Sequence, residues 1–381
     1  MNIWYPIIAT AVVFFLVVPG IGAVSVRSRW RRFRRSVVEA SALPTVTYGR
    51  LAQLRPGEER PYRFFGRLEA IEEDDVVWLS DGRISVAADM VKTAAYVLPA
   101  PEPEAVDNHA FPEATPERLP WARLTSLPER TQMFVAGTLC MEKDRGVFRG
   151  QRPDGLLVIL YDGPEEGLLL HSVWTGRQRN EYWNPFTPAS LAVGSLGLLF
   201  LAYLYMRIPP ARAAATVAAT LALVPPAPLL PPGFIAFPLY RNLWRRGRRH
   251  RAERDLLRLP LRYGLTSGEE LTLPDGERYA CREVDARSAR ELVAHGAIPP
   301  AGRRLTEEAA YQAFGTPDEH GLRAPRDPMA EFVVVPAALR REAARSHRRA
   351  IRLEAAALTC LLTGMGINLY LALTLASRFL F

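Results

Sequence analysis

Cysteine is scarce in this 381-residue chain. Cys140, Cys281 and Cys360 are widely separated, odd in number and part of no CxxC or Cys/His spacing, which argues against a disulfide framework or a structural zinc site. They read as small apolar residues buried in protein or facing lipid. The six histidines (109, 171, 250, 295, 320 and 347) form no HExxH pair, and there is no GxSxG elbow, P-loop or GxGxxG. Lysine is nearly missing: Lys92 and Lys143 stand among 48 basic residues, a bias that fits a GC-rich, prokaryotic genome and carries no functional weight. No constellation names a reaction or a cofactor. The reading leans away from an enzyme, although distant residues can assemble a site that leaves no local motif.

What the chain does have is one junction, repeated three times. Uncharged stretches at Ile3–Val26, Ala213–Tyr240 and Ala355–Ser377 each abut a run of arginines, at Arg27–Arg35, Arg241–Arg254 and Arg340–Arg352. Ile3–Val26, as a helix, rises about 36 Å and can cross a hydrocarbon core of about 30 Å. Arginines follow it and no basic residue precedes it, the reverse of a cleavable signal peptide, so it reads as a retained anchor. Pro188–Met206 gives a second span, preceded by Trp183 and Phe186, which suit the headgroup layer. Ala213–Tyr240 gives a third, interrupted by Pro225, Pro226, Pro228, Pro231, Pro232 and Gly233. Its alanine-rich first half should be helical and its second half extended, lying against neighbouring helices or near the interface. Ala355–Ser377 is the fourth, and Asn368 is its in-span polar candidate, either a cavity residue or an interhelical hydrogen bond. Ala214, Ala218 and Ala222, and Ser190 with Gly194, place small residues four apart, as close helix packing requires.

Four crossings would put all three arginine runs on one side, leaving only Arg207, Arg212 and Arg378 on the other. The positive-inside rule then makes the first side the cytoplasm and leaves both termini outside, as for a multi-pass protein of a prokaryotic plasma membrane. The net charge of +8 invites a nucleic-acid reading, but the runs alone carry +17 and the rest of the chain −9. Because the cytoplasmic parts are acidic, no nucleic acid is expected as a partner. Anionic lipid headgroups are the expected partner for Arg31, Arg32, Arg34, Arg35, Arg245, Arg246, Arg248 and Arg249, at about 1 kcal/mol each.

Between the anchors, Arg27–Ala40 should continue as a helix along the membrane surface, with Trp30, Phe33 and Val37 on one face. Residues 60–98 read as strands with a turn at Asp81-Gly82. A second β region begins at Met133, turns at Asp154-Gly155 and continues through Leu156–Tyr161 and Leu168–Trp174. Gly66-x-Leu68 recurs as Gly137-x-Leu139, a weak hint of duplication. Residues 99–128, rich in proline and acidic groups, read as a linker or long surface loop. Asp255–Leu339 looks α+β, with a hairpin at Asp275-Gly276, short helices at Ser288–Ala294 and Thr306–Ala313, and a strand at Glu331–Val335. Two acidic clusters, Glu72–Asp75 and Asp318-Glu319-His320, read as loops. Phe64, Phe65 and Trp78 could stack bases on an OB face, but core packing is favoured.

The strand pattern looks like a small OB-type barrel. The layout of anchor, β-domain and second span over residues 1–206 is similar to that of GIDE-type membrane ubiquitin ligases. The zinc ligands of their RING domain are missing, so the similarity implies no ligase activity. The expected fold class is a multi-pass α-helical membrane protein of four spans, with a β-rich, OB-like cytoplasmic domain and a small α+β cytoplasmic domain. Its expected segments are an anchor (1–26), a basic juxtamembrane helix (27–40), the β-rich domain (41–187), a transmembrane hairpin (188–240), a basic flank with the α+β domain (241–354) and a last span (355–377). The expected function is to bind or position a protein partner, or a second copy of the chain, at the membrane. The alternative is a transporter component or membrane enzyme with a site near the proline-broken third span.

Overall fold

A computed structural model describes residues 3–72, 75–100, 116–124, 127, 130–142, 145–150, 155–177, 179–231, 233–299, 305, 310–319 and 321–380. The chain divides into a helical unit (1–32, 178–250 and 347–381) and a β-rich unit (33–177 and 251–346). Three helices among the described residues are long and apolar enough to cross a membrane: α1 (Trp4–Ser41), α4 (Thr187–Met206) and the apolar part of α8 (Leu339–Leu380). Two short helices precede α4: α2 (Tyr48–Gln53) and α3 (Glu165–Trp174).

In the helical unit, α1 contains a π turn at Val13–Val17 and a proline at position 19. Pro19 has no N–H to give to the carbonyl of Phe15, four residues earlier. Neighbouring hydroxyls serve the carbonyls left open, Tyr182 donating to Phe15 O at 2.8 Å and Ser190 to Phe14 O at 2.6 Å, and the Asn184 amide adds a bond to Pro19 O at 3.0 Å. A proline is tolerated inside a membrane helix on these terms. Ser190 and Gly194 are buried on α4, and so are Ala214, Ala218 and Ala222, so the small residues do mark packed faces.

The stretch at 213–240 is not one helix. α5 (Arg212–Leu221) rises about 15 Å, half a bilayer core. Its continuation is stopped at Pro225-Pro226, because a proline disfavours helical backbone in the residue before it. Turns and a short 3₁₀ segment (Ala227–Leu229) follow, where extended chain was expected, and α6 (Gly233–Arg258) then restarts the helix. Each arginine run shares a helix with an apolar segment, in α1, α6 and α8.

The β-rich unit is built on one barrel. Its strands are β1 (Glu59–Ile71), β2 (Val76–Ser80), β3 (Ser85–Asp89), β6 (Gln132–Glu142) and β7 (Arg145–Arg149). They close in the ring order β1-β2-β3-β7-β6-β1, parallel between β3 and β7 and antiparallel elsewhere. Three further strands, β8 (Leu157–Leu160), β4 (Ala94–Val97) and β5 (Glu117–Pro120), extend the sheet from β6 in that order. Alternate side chains fill the barrel: Tyr62, Phe64 and Leu68 of β1 pack with Leu79, Val86, Val135, Leu139 and Phe148. The β2–β3 turn takes Gly82 at φ +84°, while the Asp81 carboxylate accepts from the backbone N–H of Arg83 and Ile84.

A second sheet runs β12 (Gly321–Arg323), β11 (Tyr311–Asp318), β10 (Arg278–Val284), β9 (Glu270–Thr272), with β13 (Val333–Pro336) also on β11. α7 (Ala286–Ala294) packs on it through Ala286 and Ala289, and its first turn is capped by Asp285, which accepts from Ser288 N at 2.9 Å.

Several expectations are corrected. Leu168–Trp174 is helical, within α3, because Pro164 and the acidic first turn of Glu165 and Glu166 start a helix there. Of the helix expected at Thr306–Ala313, residues 306–309 lie outside the described residues, and Tyr311–Ala313 belong to β11. Within 99–128, of which 101–115, 125–126 and 128 lie outside the described residues, β5 forms and Trp121 is buried, so that part is not a linker. The surface helix at 27–40 is part of α1. Its Phe33 and Val37 are buried in protein, with the Phe33 ring 4.2 Å from that of Tyr96. The two glycine-leucine segments do not mark a structural repeat, since β3 pairs with β2 whereas β8 pairs with β6.

Arg63 of β1 holds the β-rich unit together. It is 1% exposed and donates to Leu43 O at 2.8 Å, to Glu165 Oε1 at 3.0 Å and to Asp327 Oδ1. Removing one of these partners would leave a buried cation short of an acceptor. The bonds join β1, α3 and the loop before β13.

Candidate cleft at a fork in the barrel wall

The site arises from the way β6 is shared. β1 covers one of its edges along Gln132–Cys140. The other edge is divided: β8 pairs with Met133–Ala136 and β7 with Thr138–Glu142. The change falls at Gly137, where a Cβ would lie 2.8 Å from Arg149 O, so only glycine lets the backbones approach. From there β7 returns to β3 and closes the barrel, while β8 leads away to β4 and β5. The wall forks, and a cleft of about 350 Å³ opens at the fork.

Its floor is Ala136, Gly137, Leu156 and Leu157, and α1 contributes Phe33, Ser36 and Ala40. The remaining wall comes from β4. Ala94 and Tyr96 are two residues apart on the strand and share one face, and Lys92 lies in the turn before it. Arg118 stands opposite Tyr96 in the β4–β5 pairing, its guanidinium 5.8 Å from the ring centroid, within cation–π range. Lys92 has φ +57°, uncommon for a residue with a side chain. The turn holding it is fixed by the Asp89 carboxylate, which accepts from Val91 N at 3.0 Å, and by Thr93 N donating to Met90 O at 2.9 Å. Glu39, the carboxylate at the edge, is bound by Arg35 at 2.7 Å. The rim is therefore cationic over an aromatic and aliphatic interior.

Sequence reasoning missed Lys92, Tyr96 and Arg118. Tyr96 lies within the region read as strands, Lys92 sits in a turn that no local pattern singles out, and Arg118 lies in a stretch whose proline content hid a strand.

The eight arginine candidates separate. Arg31, Arg32, Arg35, Arg246 and Arg249 are exposed, and Arg34 and Arg245 are half-buried. Arg248 is buried: it pairs with Glu181, lies 3.8 Å from a Glu354 oxygen, and stacks 4.6 Å from the Trp244 ring centroid. Its charge is met inside the helical unit, whereas the exposed arginines are open to solvent. Asn368 is buried too, and its amide donates to Ala227 O at 2.6 Å and Leu230 O at 2.8 Å while its oxygen faces Gly233 N at 3.4 Å. These bonds tie α8 to the break between α5 and α6.

Phe64 is a core residue, as expected. Trp78 lies half-buried, donating to Glu72 Oε1 at 2.8 Å, with the Arg145 guanidinium 5.5 Å from its ring centroid. Glu73 and Asp74 of the first acidic cluster lie outside the described residues, as does His320 of the second. Among the described residues no three metal-ligating side chains gather. Cys140 and Cys281 are buried, and burial pushes both thiols up to about 11.

Burial also raises the Glu165 carboxyl to about 7. Arg63 opposes this, and the nearby Asp327 and Glu166 add to it. Comparison with protein-family models, with curated proteins and with solved structures finds no match to this chain.

Proposed function

We propose that this protein is a membrane-anchored binding protein whose β-rich unit holds a protein partner in the cleft at the fork of the barrel wall. The cleft carries the reading. It is an open recess, lined by aromatic and aliphatic groups with a few convergent polar ones, as binding sites commonly are, and it is framed by strands rather than by loops. The barrel's connection order, 1-2-3-5-4 with its third and fifth strands parallel, supports reading it as OB-like, a scaffold that carries binding faces.

For the membrane part we propose four crossings. α5 and the apolar start of α6 together supply the length of one broken span. With that crossing, the three arginine runs share the cytoplasmic side of a prokaryotic plasma membrane, both termini lie outside, and the exposed arginines meet anionic headgroups. The bonding of Asn368 favours a structural staple over a transport cavity at the break.

Mild crosslinking in native membranes followed by purification tests the function. A companion protein should copurify with the wild-type chain and be lost with Ala94→Trp, which fills the cleft. Finding no companion, and a purified chain that turns over a substrate, would replace this reading with the enzymatic one.

A further inference from the structure

Independently of the cleft, we infer that α3 is a proton-dependent latch, hinged at its C-terminal end and released at its N-terminal end when Glu165 ionises. The two ends of the helix are held by different chemistry. At its start, Glu165 of α3 and Asp327 of the loop before β13 meet on the single guanidinium of Arg63. One buried cation balances one buried carboxylate, and Asp327 is the more buried of the two. Behind it Arg262 is paired with Glu331 at 2.5 Å, and Tyr263, pushed up to about 12 by burial, stays neutral. The charged groups that act on Glu165 are Arg63, which favours its ionised form, and Asp327 and Glu166, which oppose it. An ionised Glu165 therefore adds an unbalanced negative charge to the cluster, and its side chain, 18% exposed, has a way out to water. At the other end, Arg177 donates to Val173 O at 2.7 Å and to Asp255 Oδ2 at 2.5 Å. Burial works against the charge of Asp255, but Arg177 and Arg254 outweigh it and hold its carboxyl below the ordinary range, so this end stays fastened at neutral pH. Between the ends, His171 Nε2 lies 2.8 Å from Pro99 O and must donate to it. Burial holds this ring below its ordinary 6.5, although Pro99 favours its charged form, so its grip weakens as pH falls, the opposite of Glu165. The chain thus gains a pH-sensitive joint between β8 and the fixed end of α3.

The test follows backbone hydrogen exchange of the full chain in detergent micelles from pH 5 to pH 8, resolved to single amides and corrected for the intrinsic exchange rate at each pH. His171→Gln, which keeps an N–H for Pro99 O and cannot titrate, removes the opposing group. In that variant the protection of Leu168–Leu170, at the start of α3, should fall at least about tenfold as pH rises from 5 to 7 and level off above it, as a carboxyl moved from 4.5 to about 7 requires. The amides of His171–Trp174 and of β6 should hold. The wild-type chain should show the same fall, lessened by His171. Adding Glu165→Gln, which still accepts from Arg63, should abolish the fall, with β6 protection as the folding check. A fall shared by His171–Trp174 would overturn the hinge, and one shared by β6 would mean general unfolding and overturn the latch altogether. A fall that survives Glu165→Gln, or constant protection of Leu168–Leu170 across the range in His171→Gln, would overturn it equally.

Discussion

At the scale of single residues, Asn368 and Glu165 make opposite use of burial. Asn368 gives both amide hydrogens to carbonyls at the break that also take a backbone N–H, Ala227 O from Leu230 at 3.3 Å and Leu230 O from Phe234 at 2.9 Å. Asn368→Leu should therefore cost about 1–3 kcal/mol, since two hydrogen bonds are lost at about 0.5–1.5 kcal/mol each. Unfolding in mixed micelles measures this, and an unchanged stability would return Asn368 to the list of cavity residues.

Glu165 titrates near 7 in the folded protein, against an ordinary value of 4.5. The folded state thus binds this proton more tightly than the unfolded one between those limits. Its contribution to stability is greatest below about pH 4.5 and falls as pH rises through 7, by up to about 3 kcal/mol at 1.36 kcal/mol per unit. Melting temperatures between pH 5 and 8 should fall, and Glu165→Gln should flatten the decline. A wild-type profile already flat across that range would contradict the assignment.

At the scale of elements, the kinked anchor allows a sharper test. The hydroxyl of Tyr182 serves a carbonyl freed by Pro19. Tyr182→Phe should cost about 0.6 kcal/mol, the usual value of an interhelical hydrogen bond in a membrane protein. It should cost nothing in a Pro19→Ala background, where the replacement residue supplies its own N–H to the carbonyl of Phe15. A double-mutant cycle measures the coupling, and additive effects would show that the hydroxyl serves some other purpose.

The same scale shows what a sequence conveys. The apolar runs, the glycine turns at Gly82 and Gly276 and the alternation along β1 were legible because each is a local requirement of backbone or burial. α3 was misread because Leu168–Trp174 is apolar throughout most of its length, and such a run fits strand or helix alike. β5 was missed because its pairing with β4 is set by a distant strand, whatever its own composition. Arg63 looked like one more charge on a strand, since its partners Glu165 and Asp327 are far away along the chain.

At the scale of the whole molecule, charge was legible and the site was not. The arginine runs mark the ends of apolar segments, and structure adds that each run shares a helix with at least the adjoining part of its apolar segment. The cleft follows from the division of one strand's edge between two others, which no local pattern encodes. Topology can be read with an impermeant thiol reagent, although Cys281 is buried and will not report. A cysteine at the exposed position Arg287 should react only after the membrane is opened, and one at Ile208 should react in intact cells. The opposite pattern would reverse the orientation, and protection of both in intact cells would remove the crossing by α5 and α6.

The account rests above all on the fork in the barrel wall being where a partner sits. The direct measurement is photocrosslinking in native membranes from a reactive residue at Thr93, inside the cleft, and from one at Arg67, exposed on β1 outside it. The account predicts one discrete partner adduct from position 93, abolished by Ala94→Trp, and none from position 67. Equal adducts from both positions, or an adduct from position 67 alone, would contradict it.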